Sequence, residues 1–155
     1  MYRRIIFFVL PLIIFAALPA GAAMISVKVI ETGFPGDGPA NRYSVLWENG
    51  LMDVYFDLGH IVSNSPILRL PQGIADGFPY EIERDYDEAR ETGMKYFIVA
   101  IVSHPSPYKV SLRFFSTKST EMIYELRYTD NPSLLENDRV KKIKKAIQET
   151  AAQLK

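Results

Sequence analysis

Lys95-Tyr96-Phe97-Ile98-Val99-Ala100-Ile101-Val102-Ser103, KYFIVAIVS, is the segment around which the rest of the chain is organised. Seven apolar residues stand in succession from Tyr96 to Val102. A run of this length, rich in β-branched and aromatic side chains, predicts a strand buried on both faces. Ahead of it, Glu81–Thr92 places Ile82, Tyr86 and Ala89 at helical spacing. Six carboxylates (Glu81, Glu83, Asp85, Asp87, Glu88 and Glu91) cover the remaining surface and read as a solvated face. Gly93 ends this helix. Behind the central strand, His104-Pro105-Ser106-Pro107 forms a stiffened turn. Two alternating segments follow. Tyr108–Ser116 turns Tyr108, Val110, Leu112 and Phe114 inward and Lys109, Ser111 and Arg113 outward. Met122–Tyr128 turns Met122, Tyr124, Leu126 and Tyr128 inward. The pair reads as a hairpin with one wet face.

Nearer the amino terminus, Ile25–Glu31 alternates as a first strand, and GFPGDGPA (33–40) is a loop by composition. Asn41 is placed to cap a helix that runs to Gly59. Tyr43, Trp47, Leu51, Val54 and Leu58 make its core stripe. Val45, Met52 and Phe56 form a second apolar side almost opposite Trp47, as in a helix that is sandwiched or meets a partner. His60–Ile67 predicts a short strand, Leu68–Pro79 a loop, and Ser133–Leu154 a last helix burying Val140, Ile143, Ile147, Ala151 and Leu154.

The fold class is therefore α/β (α+β): a five-stranded mixed sheet, element order β-α-β-α-β-β-β-α, with helices packed on it. Right-handed crossovers order the strands 2-1-3-4-5. One detail conflicts with that order. An interior first strand should be apolar on both faces, yet Ser26 and Lys28 are polar. Either that strand is partly uncovered or the order is wrong.

The first 22 residues, MYRRIIFFVLPLIIFAALPAGA, combine Arg3 and Arg4, an apolar stretch (Ile5–Leu18) and a small-residue site. This is the pattern of a secretory signal peptide cleaved after Ala22. The stretch is short for a bilayer span, which needs about 20 residues. An uncleaved anchor is the alternative. Residues 23–155 are then one α/β domain in the periplasm or secreted. No cysteine follows the leader, so no lipid anchor is expected, and disulfides, thiolate catalysis and Cys-ligated zinc are excluded. With Arg3 and Arg4 set aside, 16 basic residues face 18 acidic ones, which gives no footprint for nucleic acid.

Catalytic chemistry finds little support. His60 and His104 are the only histidines, and neither sits in a nucleophile motif. No catalytic residue, cofactor or metal ligand is expected. The Gly33–Gly38 loop follows a strand and precedes a helix, but it matches neither a dinucleotide nor a Walker fingerprint. With Leu68–Pro79 it leaves the carboxyl ends of strands, where open α/β sheets keep ligands. Gly36, Asp37, Gly38, Gly73 and His104 are the candidate cleft. On the last helix, Arg139, Lys141, Lys142, Lys144 and Lys145 form a basic cluster. Lys141, Lys142 and Lys145 could touch an anionic membrane, or the acidic second helix of a neighbouring copy in an oligomer.

ENGLMDVYFDLGHIV, EARETGMKYFIVAIVS and YKVSLRFFSTKSTEMIYELRY resemble the helix–strand, helix–Gly–strand and closing-hairpin segments of a periplasmic family. That family includes the TolB amino-terminal domain, CsgG and the LpoB lipoprotein. The resemblance covers most of the chain after the leader and lies in pattern and element order. It implies a non-enzymatic envelope module docking onto other envelope proteins. The lipidated cysteine, the β-propeller of TolB and the membrane hairpins of CsgG have no counterpart here, so their functions do not carry over. Val45, Met52 and Phe56 are the candidate partner surface. The alternatives are a small-ligand-binding protein using the cleft, or a hydrolase using His60 or His104.

Overall fold

The computed structural model describes residues 21–34, 38–74 and 76–154. Most of the leader, Gly36 and Asp37 lie outside the described residues. Strand β4 (Tyr96–Ser103) is the centre of the sheet, and seven of its eight residues are buried. It lies parallel to β1 (Met24–Thr32) on one side and antiparallel to β5 (Lys109–Ser116) on the other. Strands β2 (Ile61–Asn64) and β6 (Met122–Thr129) form the margins, giving the order β2-β1-β4-β5-β6. This is the expected order.

The sheet has six strands rather than five. β3 (Leu68–Leu70) pairs with Ile30–Thr32 of β1, beyond the point where β2 leaves it. Three residues between Pro66 and Pro71 carry no readable period, so they look like loop until β1 is there to pair with them.

Helices α1 (Arg42–Asp57) and α3 (Glu136–Ala151) cover one face. Trp47, Leu51 and Val54 of α1 and Ile143 and Ile147 of α3 join Val27, Ile98, Leu112 and Phe114 in its core. Asn41 caps α1 as expected, its side-chain oxygen accepting from Tyr43 N–H at 2.7 Å. Gly59 adopts φ +84°, as a residue just past a helix end does. The last helix begins at Glu136, later than the expected Ser133.

α2 (Glu83–Glu91), preceded by a 3-10 turn at Tyr80–Ile82, covers the opposite face. Ile82, Tyr86 and Ala89 pack on Ile30, Phe97, Val99 and Phe115. This helix resolves the conflict over β1. Lys28 is 6% exposed, yet its ammonium donates to Pro66 O at 2.8 Å and pairs with Asp85 at 2.6 Å. The interior strand is covered on both faces, and the charge is neutralised from above. The carboxylate run of α2 is thus not wholly solvated.

The hairpin differs from expectation in two ways. Arg113 is buried rather than wet, because residues 77–78 fold over it and over Phe115 on the same face. Arg113 donates to Gly77 O at 3.0 Å, and the Phe78 ring stands edge-on to Phe115 at 5.3 Å. Wetness is confined largely to β6. There Phe114 pairs with Tyr124 but Phe115 pairs with Met122, so Ile123 is an inserted residue. The bulge reverses the alternation, and Met122 faces solvent instead of the core.

Candidate functional site

Three sides of α1 are engaged. Trp47, Leu51 and Val54 face the sheet. Gly50 faces α3, where an added Cβ would lie 3.0 Å from Ile143 Cγ2. Glu48 accepts from Asn64 Nδ2 at 2.9 Å on the β2 side. Val45, Met52 and Phe56 fall on the remaining side, within about 40° of one another at helical spacing. Phe56 is 72% exposed, and Val45 and Met52 are half-buried. The candidate partner surface is a single strip on α1, with Phe56 as its exposed tip. Leu58, expected in the core stripe, is instead exposed, because the helix ends at Asp57 and Leu58 is its cap.

At the carboxyl ends of β1, β3 and β4 the residues knit together. Glu31 is fully buried and pairs with Arg69 Nε at 2.8 Å. Its other oxygen accepts from Asn41 N–H at 2.5 Å. The Arg69 guanidinium also donates to Gly38 O at 2.6 Å and Pro39 O at 2.5 Å, and lies 4.2 Å from the Phe34 ring centroid. Arg69 thereby ties the loop after β1 down onto the sheet. His104 stands edge-on to Phe34 at 4.6 Å and to Tyr108 at 4.8 Å, with its Nε2 buried and unbonded. Of the candidate cleft, Gly38 and His104 join this cluster. Gly73 is exposed, with no atom within 4 Å of a Cβ placed there. Sequence reading missed Glu31 and Arg69, because a buried pair 38 residues apart leaves no local signal.

The other histidine is structural. His60 Nδ1 accepts from Ala23 N–H at 3.1 Å. Burial, and secondarily the charge of Lys95, lowers its pKa below the ordinary value. Glu125 is also held low, first by a 2.7 Å hydrogen bond from Ser111 and then by Arg127 and Arg113. Among the described residues no three His, Asp or Glu side chains gather as a metal site.

On α3, Arg139 is drawn inward to Asp130 at 3.0 Å, Lys144 pairs with Asp53 at 2.8 Å, and Lys141 with Asp138 at 3.6 Å. Lys142 and Lys145 rim a groove of about 320 Å³ floored by Leu126, Tyr128 and Ala146. A polar cavity of about 230 Å³ lies between β2 and α2, lined by Ser26, Ser63, Asn64, Asp85, Glu88 and Thr92 among others. Its volume is below the roughly 300–1,000 Å³ usual for small-molecule sites.

No family model matches the sequence, and no curated relative does. Solved structures do match. The PelC dodecamer from Paraburkholderia phytofirmans aligns over 83% of this chain and 88% of its own, at 11% identity and TM-score 0.52. The LpoB C-terminal domain from Escherichia coli aligns over 71% and 83%, at 12% identity and TM-score 0.49. TolB from Acinetobacter baumannii aligns over 85% of this chain but 30% of its own, at 14% identity and TM-score 0.43. At such identity the PelC match shows a shared fold and nothing finer.

Proposed function

We propose that the chain is an exported, non-enzymatic interaction module of the cell envelope, freed of its leader after Ala22 and docking onto another envelope protein through the outer strip of α1. The observation that carries the reading is Phe56, a large aromatic exposed on a helix whose other sides are occupied. Burying Phe56 and Met52 in a partner is worth on the order of 1.5–3 kcal/mol for each side chain. The roles of the histidines support the reading. One holds the start of β1 and the other packs among rings, so neither is arranged as a base. The shared fold of PelC, solved as a dodecamer, is a precedent for this architecture in an assembly.

The test uses the full chain, exported with its own leader and cross-linked in intact envelopes. Met52→Glu/Phe56→Glu should eliminate the adduct seen with the unaltered chain while the far-UV spectrum and melting temperature stay in place. An adduct of equal yield would refute docking through this strip. Amino-terminal sequencing of the exported protein should begin at Ala23; recovery of Met1 would mean the leader is retained as an anchor.

A further inference from the structure

On the face covered by α1 and α3, the two margins of the sheet carry opposite charge. At the β2 margin, Glu48 of α1 lies on one face, bonded to Asn64, and Glu88 of α2 lines the cavity beside Asn64 on the other. At the β6 margin, exposed Lys142 and Lys145 of α3 stand on the same face as α1. Lys109 and Arg127 line a hollow of about 310 Å³ at that margin, with side chains on the α2 face. Lys142, Lys145 and Lys109 have no carboxylate partner among the described residues, although Glu149 shares the first groove and Arg127 is bonded to Glu125 at 3.0 Å. Neither β2 nor β6 has a further strand beside it among the described residues. β6 offers eight residues of open backbone, and an uncovered strand of that length is a template for pairing.

Strand direction makes the two margins compatible. β2, β1 and β4 are parallel, while β5 runs against β4 and β6 against β5. β6 therefore points the same way as β2. Sliding one copy sideways without rotation brings its β6 against β2 of the next, with corresponding faces aligned. Lys142 and Lys145 then approach Glu48. A two-fold contact of β6 with β6 would instead set lysines against lysines, and β2 with β2 would set glutamates against glutamates.

We infer that the occupant of the β6 margin is a second copy of this chain, bound head to tail through its β2 margin. Such a contact is heterologous, and it either closes into a ring or continues as a filament. Its contact on α1, Glu48, lies one helical turn from Met52 but more than two turns from Phe56, the exposed tip of the strip, so a change at Phe56 alone separates this contact from the docking proposed there.

The experiment takes the full chain, exported with its leader and purified from the envelope fraction, in two isotopically distinct batches that are mixed. Zero-length carbodiimide cross-linking should yield mixed-isotope amides joining Lys142 or Lys145 to Glu48. Sedimentation should show species larger than a monomer. Lys142→Glu/Lys145→Glu should weaken association by about tenfold or more, as should Glu48→Lys. Mixing the two variants should restore it, because each junction again meets opposite charge. Restoration also shows that both variants are folded. Phe56→Glu should associate like the unaltered chain. A monomer at every concentration, cross-links confined within one copy, failure of the mixture to associate, or loss of association in the Phe56 variant would each overturn the proposal.

Discussion

The two faces of the sheet are built on different principles. Under α1 and α3, β1 contributes Ile25, Val27 and Val29, β4 contributes Ile98, Ala100 and Val102, and β5 contributes Val110, Leu112 and Phe114. Apart from the Glu31–Arg69 pair at its carboxyl end, that face is apolar, and any well-shaped apolar helix can cover it. Under α2 the apolar patch is smaller, and Lys28 and Arg113 lie buried beside it. Those charges accept only a cover that brings Asp85 and the Gly77 carbonyl to the right places. The first face is held by burial, which is tolerant of detail. The second is held by paired charges, which are intolerant of losing one partner.

The sharpest way to break the contrast is Asp85→Ala. It strands the Lys28 ammonium beneath α2, and chemical denaturation should show a loss of about 3–5 kcal/mol. Lys28→Met/Asp85→Leu should recover most of that loss. If the single variant is as stable as the unaltered chain, the second face is not held by this pair. On the first face the vulnerable point is closeness rather than charge. Gly50→Leu pushes a side chain into Ile143 and Ile147, whose terminal carbons would lie 3.0 and 3.1 Å from even a bare Cβ. A loss of about 1–3 kcal/mol is expected, read as a lowered melting temperature. Asn41→Ala removes the cap on Tyr43 N–H and should cost about 1 kcal/mol. Equal stability would mean that the loop carbonyls and Glu31 hold the start of α1 without the cap.

The smallest effect is one of pH. His60 titrates below its ordinary value in the folded chain, so the unfolded chain binds its proton first. This contribution to stability is complete above about pH 6.5 and declines as pH falls towards the lowered folded value. His60→Gln should flatten that portion of the stability–pH curve. An unchanged slope would assign it to another group.

The legible parts of the molecule are those with a local period. Tyr96–Val102 reads as an interior strand because seven successive apolar residues fit nothing wetter, and α1 reads as a helix from Asn41 through Trp47, Leu51 and Val54 to Gly59. β3 was illegible because three residues carry no period and owe their shape to β1. Met122 was misplaced because a bulge at Ile123 shifts the alternation without changing composition. Arg113 was read as solvent-facing because alternation distinguishes two faces but not whether the second is roofed. Val45, Met52 and Phe56 are visible as a strip on a helical wheel, whereas the margin charges Glu48, Glu88, Lys109, Lys142 and Lys145 are not visible as a set. They come from four different elements and become neighbours of a strand edge only when the sheet is assembled.

Periodicity, caps and chain connectivity were enough to set the kind of each major element, the order of the principal strands and the apolar core. These follow from interactions between residues a few positions apart and from the cost of leaving apolar surface in water. Three-dimensional closure was needed to say which polar residues go inside, what neutralises them and which strand edges stay open. Those outcomes turn on pairs such as Lys28–Asp85 and Glu31–Arg69, whose members lie dozens of residues apart and acquire a common low-dielectric environment only when the layers meet.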